Sequence, residues 1–174
     1  AVEVLGYMVE ILSLTGINDS ALASKAKQLQ QQVKKALKEN SIINHQLFGK
    51  IIAFEVNGYG SFHMMDDANV PSLLSLPYLG AISPKDPLYL NTRKVVLSQN
   101  NPFFYKGKAG EGIGGPHTGT DTIWPMSIIL RAITSIDEKE IKYCINTLLK
   151  THAGTGFMHE SFDKDDASKF TRKW

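Results

Sequence analysis

Cysteine is nearly absent: Cys144 stands alone, so no internal disulfide can staple the fold. Its neighbours Ile141, Ile145 and Leu148 place it on an apolar helix face, where it reads as inert core. Arginine is confined to Arg93, Arg131 and Arg172, and 19 Lys+Arg against 17 Asp+Glu leave a net charge of +2. Scattered lysines in that balance do not build the basic surface that nucleic acid requires. Apolar runs such as Ile128-Ile129-Leu130 fall far short of the 18 or so residues that span a bilayer, and no charged-then-apolar leader opens the chain. Neither a nucleic-acid nor a membrane partner is therefore expected. Also missing are an H-E-x-x-H pair, a cysteine pair and a G-x-S-x-G elbow, which weakens zinc and acyl-transfer chemistry. What is present, 174 residues that are 43% hydrophobic, supplies one sizeable core and one globular unit.

Helical periodicity dominates the chain. Val2, Leu5, Met8, Val9, Ile11 and Leu12 recur at three- and four-residue spacing, with no capping residue before them. Asn18-Asp19-Ser20 caps a second, amphipathic helix striped by Leu22, Ala26, Leu29, Val33 and Leu37. Residues 49–60 change character: Ile51, Ile52, Phe54 and Val56 predict a short β segment ending at Asn57-Gly58. Asp67 or Asn69 then caps a short predicted helix that begins at Pro71, carries Leu73, Leu74 and Leu76, and stops at Pro77 and Gly80. Asp86-Pro87 opens another helix, Pro125 a further one, and Asp137 with Glu140 resembles a capping box. Asp165 to Ser168 look like a last cap, before a helix carrying Phe170 and Trp174. Long helices alternating with loops dense in Gly, Pro, Asp, Asn and His suit a ring of helical hairpins with working loops at one end, although a plain helical domain predicts much of the same.

Gly110-Glu111-Gly112-Ile113-Gly114-Gly115 satisfies G-x-G-x-x-G literally, but Pro116 removes a backbone donor and the loop continues, so a turned substrate loop fits better than a phosphate cradle. The five histidines, His45, His63, His117, His152 and His159, show no metal-ligand spacing. Carboxylates remain, in Asp66-Asp67-Ala68-Asn69 and in Phe157-Met158-His159-Glu160-Ser161-Phe162. Acids in such settings are either caps and loop anchors or general acid/base residues. Mixed with Tyr59, Phe62, Tyr78, Tyr89, Phe103, Phe104, Tyr105 and Trp124, such groups are what a sugar site uses, since hydroxyls want polar partners and ring faces want aromatic ones, although each aromatic singly is more often core.

Together, Met65-Asp66-Asp67-Ala68-Asn69-Val70-Pro71-Ser72-Leu73-Leu74-Ser75-Leu76-Pro77-Tyr78, Gly112-Ile113-Gly114-Gly115-Pro116-His117, Ile123-Trp124-Pro125-Met126 and Met158-His159-Glu160-Ser161-Phe162 resemble glycoside hydrolase family 125 over most of the chain. The resemblance implies an all-α fold, part of a toroid of six helical hairpins. It also implies metal-independent, cofactor-free, inverting and exo-acting hydrolysis of α-1,6-linked mannose. It makes Glu160 the general base that activates water, and Asp66, Asp67, Asn69, His117 and His159 candidates for binding sugar hydroxyls or shaping the site floor. The family's general acid belongs to an upstream Asp-rich block with no counterpart in these residues. The chain is thus expected to be the carboxyl-terminal part of a longer enzyme, inactive and self-associating by itself. Its rivals are a non-catalytic helical carbohydrate-binding or scaffold protein, and a metal-dependent hydrolase built on His117, His159 and Asp66.

Overall fold

The computed structural model describes residues 1–14 and 16–172. Among them are five helices and nine strands. Helix α1 (Val2–Leu12) lies against α2 (Ser20–Asn40), which begins where Asp19 accepts the Leu22 N–H. Val4, Tyr7, Met8 and Ile11 of α1 remain exposed. None of the helices among the described residues is long and apolar enough to cross a membrane.

Strands β1 (Ile42–His45) and β2 (Gly49–Ile52) form an antiparallel hairpin, followed by the two-residue strands β3 (Glu55–Val56) and β4 (Phe62–His63). Helix α3 (Pro87–Val96) is capped by Asp86 and starts on Pro87, whose missing N–H costs nothing in a first turn. Thr92 on α3 accepts the Ile52 N–H at 2.9 Å and so seats the first hairpin on this helix. Strands β5 (Phe104–Lys106) and β6 (Glu111–Ile113) pair next, then β7 (Thr122–Ile123) leads into α4 (Pro125–Ile133) and α5 (Glu138–Lys150). Finally β8 (Ser161–Asp163) pairs with both β7 and β9 (Phe170–Thr171).

One apolar cluster gathers Leu73, Leu74, Val96, Phe104, Ile113 and Leu130; a second gathers Ile123, Ile128, Cys144 and Phe162. Burial pushes the Cys144 thiol pKa up, as inert core requires. Between α3, α4, α5 and the β5–β6 hairpin runs a chain of ion pairs. Arg93 and Arg131 both reach Glu140, at 2.9 and 2.8 Å, and Arg131 and Lys106 both reach Glu111, at 3.0 and 2.9 Å.

Three expectations are overturned. The chain is not all-α with one β segment: four small antiparallel sheets connect its helices, because backbone groups in those long connections pair with one another. The helix predicted from Pro71 is a series of turns. Pro77 cannot donate to the Leu73 carbonyl, Ser72 and Ser75 exchange side-chain to backbone hydrogen bonds, and Asp66, not Asp67 or Asn69, takes the free N–H groups of Leu73 and Leu74. The last predicted helix is the β8–β9 hairpin. Asp163 Oδ1 accepts the N–H groups of Asp165 and Asp166, an aspartate turn whose residue signature is that of a helix cap. Trp174 lies outside the described residues. The capping box is half made: Asp137 caps Lys139, while Glu140 turns to Ser135 and the arginines.

Candidate functional site

After β4, Met64 and Met65 lead into Asp66, which is fully buried at 0% exposure. Its Oδ1 accepts the Leu73 N–H at 2.8 Å and its Oδ2 the Leu74 N–H at 2.9 Å. Burial outweighs these two donors, and the nearby Asp67 charge adds to it, so the pKa is pushed up to about 7. Asp67 and Asn69 are half-buried and form one turn, with Asp67 Oδ1 accepting the Asn69 N–H at 2.9 Å. Between them, Ala68 N–H donates to the Gly114 carbonyl at 2.8 Å, which ties this loop to the glycine-rich one.

The G-x-G-x-x-G residues are the β5–β6 hairpin and its exit, not a helix start. A Cβ on Gly112 would come within 2.7 Å of Ile123 Cγ2, and one on Gly114 would collide with the Thr122 carbonyl, so these glycines permit close strand packing. Ile113 N–H donates to Ser127 Oγ and Trp124 Nε1–H to Thr118 Oγ1. Gly115 backs onto Asp67, and His117, two residues further on, is exposed.

A second cluster stands on the β8–β9 hairpin. His159 is buried and stacks on Phe170, with centroids 3.6 Å apart and ring planes 9° from parallel. One ring nitrogen lies 3.1 Å from Thr155 Oγ1 and the other 3.2 Å from the Arg172 carbonyl. Glu160 keeps 17% of its side chain exposed. Its Oε2 lies 3.2 Å from Arg172 Nε and accepts a long 3.4 Å hydrogen bond from Thr171 Oγ1. The pairing of Ser161 with Thr171 in the β8–β9 register is what brings Arg172 across from Glu160.

The structure thus unites Asp66, Asp67 and Asn69 in one loop with Gly115 behind it, and His159 with Glu160 in another. The two are carried on one framework: Trp124 N–H donates to the Ile113 carbonyl, and β7 pairs with β8. Among the described residues, no group of three or more His, Cys, Asp or Glu side chains is placed to hold a metal. The buried Asp66 oxygens each take a backbone N–H, and both His159 nitrogens have partners, so the metal reading on His117, His159 and Asp66 has no open ligand set. Two shallow concavities, of about 240 and 410 Å³, are lined by other residues: the first by the β3–β4 hairpin, the second by Glu111, Arg131 and Glu140 among others.

Sequence reasoning missed three features. Asn101 hydrogen-bonds both sides of Asp66, Arg172 pairs with Glu160, and Arg93 and Arg131 bind Glu140. One signal was available for the last two: arginine is rare here, and all three arginines sit in ion pairs.

A family model described as metal-independent alpha-mannosidase (GH125) matches residues 1–174. The chain is 47% identical over 171 residues to the meiotically up-regulated gene 157 protein of Schizosaccharomyces pombe, covering 98% of this chain and 33% of that protein. It is also similar to a Streptococcus pneumoniae metal-independent α-mannosidase solved as a non-productive complex with α-1,6-mannobiose. The TM-score is 0.95 at 41% identity, over 99% of this chain and 41% of that one. The chain therefore spans well under half the length of either relative.

Proposed function

Because the chain belongs to the GH125 family of metal-independent α-mannosidases, we propose that it supplies the general base and part of the sugar site of an inverting exo-α-1,6-mannosidase. The glycoside hydrolase assignment follows from the family. The α-1,6 linkage is supported by the α-1,6-mannobiose in the non-productive complex of the Streptococcus pneumoniae relative, while the exo mode and inversion are part of the proposal. Since the chain spans only 33% and 41% of these relatives' length, the activity is proposed for a longer protein to which these residues contribute.

The observation that carries the reading is the state of Glu160. Its carboxylate is partly open, and among the described residues it is held by the side chains of Arg172 and Thr171. Glu160 takes a proton from water as that water attacks the anomeric carbon from the face opposite the departing oxygen. The bond from that carbon to the glycosidic oxygen breaks, and the oxygen receives a proton from a second carboxylic acid elsewhere in the longer protein. Inversion requires the two carboxyls to stand about 6.5 to 9.5 Å apart, which leaves room for the water. Arg172 and Thr171 fix the orientation of Glu160. Asp67, Asn69 and His117 meet sugar hydroxyls, whereas Asp66 and His159, with their polar atoms already engaged, act by holding neighbours in place.

Incubating the full-length protein with α-1,6-mannobiose while following the product by NMR tests this. β-Mannose appearing first is the expected result; no hydrolysis, or α-mannose first, overturns it. The isolated chain should not turn the disaccharide over, and hydrolysis by it would locate the acid within these residues.

A further inference from the structure

Asn101 lies between α3 and β5 with 1% of its surface exposed, and its side-chain amide is fully used. Oδ1 accepts the N–H groups of Asp66 and Phe103 at 3.1 and 3.2 Å, and Nδ2 donates to the carbonyls of Asp66 and Val96 at 2.9 and 3.0 Å. One amide thus grips the backbone on both sides of Asp66 and ties it to the end of α3 and the start of β5. From Asp66 onward the chain stays pinned. Its carboxylate takes Leu73 and Leu74 N–H, Tyr89 OH donates to the Leu74 carbonyl at 2.9 Å, and Ala68 N–H is on Gly114. Asp67 is the residue left between two fixed neighbours with its side chain half-exposed.

We propose that Asn101 is a positioning residue of the sugar site: by holding the peptide groups around Asp66 it sets where the Asp67 carboxylate meets a mannosyl hydroxyl. This rests on the mannosidase reading above. A hydroxyl on a carboxylate makes a short, charge-assisted hydrogen bond. Such a bond is lost with small displacements, and misplacement by about 1 Å from a change away from the chemistry costs about 10²-fold. Asp66 is closed by burial and Ala68 by Gly114, and the Asn69 turn hangs on Asp67 Oδ1, so a slackened clasp reaches the sugar through Asp67 and the turn it holds.

The test is a double-mutant cycle in the full-length protein with α-1,6-mannobiose. Asn101→Asp keeps the volume but loses both donated bonds; Asn101→Ser, which retains one hydroxyl, serves where the first variant does not fold. Either should lower kcat/KM by about 10- to 100-fold, with most of the loss in KM. In an Asp67→Ala background the same substitution should change kcat/KM by less than about threefold, because coupled residues do not act additively. An equal loss in both backgrounds, or a lowered Tm with kcat/KM unchanged, overturns the proposal. A readout free of activity separates this from the mannosidase reading. Amide hydrogen exchange at residues 66–69 should rise in Asn101→Ser while that of α4 and α5 stays put, and an unchanged 66–69 segment refutes the clasp even in a protein that cleaves no mannoside.

Discussion

Asp66 and Glu160 are both acids in polar loops beside aromatic residues, yet the fold treats them in opposite ways. Asp66 has no exposure and gives each oxygen to a backbone N–H. Glu160 is 17% exposed and is held by side chains, one of them the 64% exposed Arg172. A carboxylate closed around main-chain donors builds a loop; one left partly open, with side-chain partners that can rearrange, is free to take a proton. The network acid Glu140 is as exposed as Glu160, at 17%, but is gripped by two arginines whose side chains are 13% exposed.

The largest effect should come from Glu160→Gln, with a loss of about 10²- to 10⁴-fold in kcat and little change in Tm. Activity within a few-fold of wild type would erase the contrast. Asp66→Asn tests the other side through pH. Because burial raises the folded-state pKa to about 7 from the ordinary 3.8, the folded protein holds a proton that the unfolded chain releases. Wild-type stability should then fall as pH rises from 3.8 towards about 7 and stay level above that, by up to about 4 kcal/mol. Thermal melts at pH 5 and 8 should show the decline in wild type and its loss in Asp66→Asn; equal slopes would mean that Asp66 is not the buried titrating group.

Glu140→Gln should cost about 3 kcal/mol, since it leaves two part-buried guanidinium groups short of a counter-charge. Burial opposes the Glu140 charge, but Ser135, Arg131 and Arg93 outweigh it and hold the pKa below the usual carboxylate range. That contribution is present above the unfolded-state value of 4.5 and fades as pH falls through the lower folded-state value. Denaturant titrations at pH 7 and at pH 3 measure it, and a variant as stable as wild type at pH 7 would remove Glu140 from the account. The smallest change in stability, within about 1 kcal/mol, is expected for Arg172→Ala, an exposed partner. Its kcat should nevertheless fall by about tenfold if Arg172 orients the base; a lost Tm with kcat intact would reverse the roles given to this pair.

The long helices were legible because their periodicity and caps are local: Asp19, Asp86 and Asp137 each cap the helix that follows. The sheets were not, since strands of two or three residues such as β3, β7 and β9 carry no period to read. Asp165 to Ser168 misled because an aspartate turn and a helix cap use the same residues for the same reason, a side-chain oxygen on nearby N–H groups. Of the site, Glu160 and the Asp66–Asn69 loop stood out through their motifs. Asn101 did not: it lies 35 residues from Asp66, and an Asn100-Asn101 pair before Pro102 reads as an ordinary turn. The Arg93–Glu140 pair spans 47 residues and is equally invisible to local pattern.

The central claim, that Glu160 deprotonates the attacking water, is tested most directly by giving the enzyme a nucleophile that needs no base. In full-length Glu160→Ala with α-1,6-mannobiose, sodium azide should enter the space left by the carboxylate and attack the anomeric carbon directly. Without azide, hydrolysis should fall by about 10²- to 10⁴-fold, and with it β-mannosyl azide should accumulate. Hydrolysis by Glu160→Ala within a few-fold of wild type, or formation of the α-mannosyl azide, would contradict it.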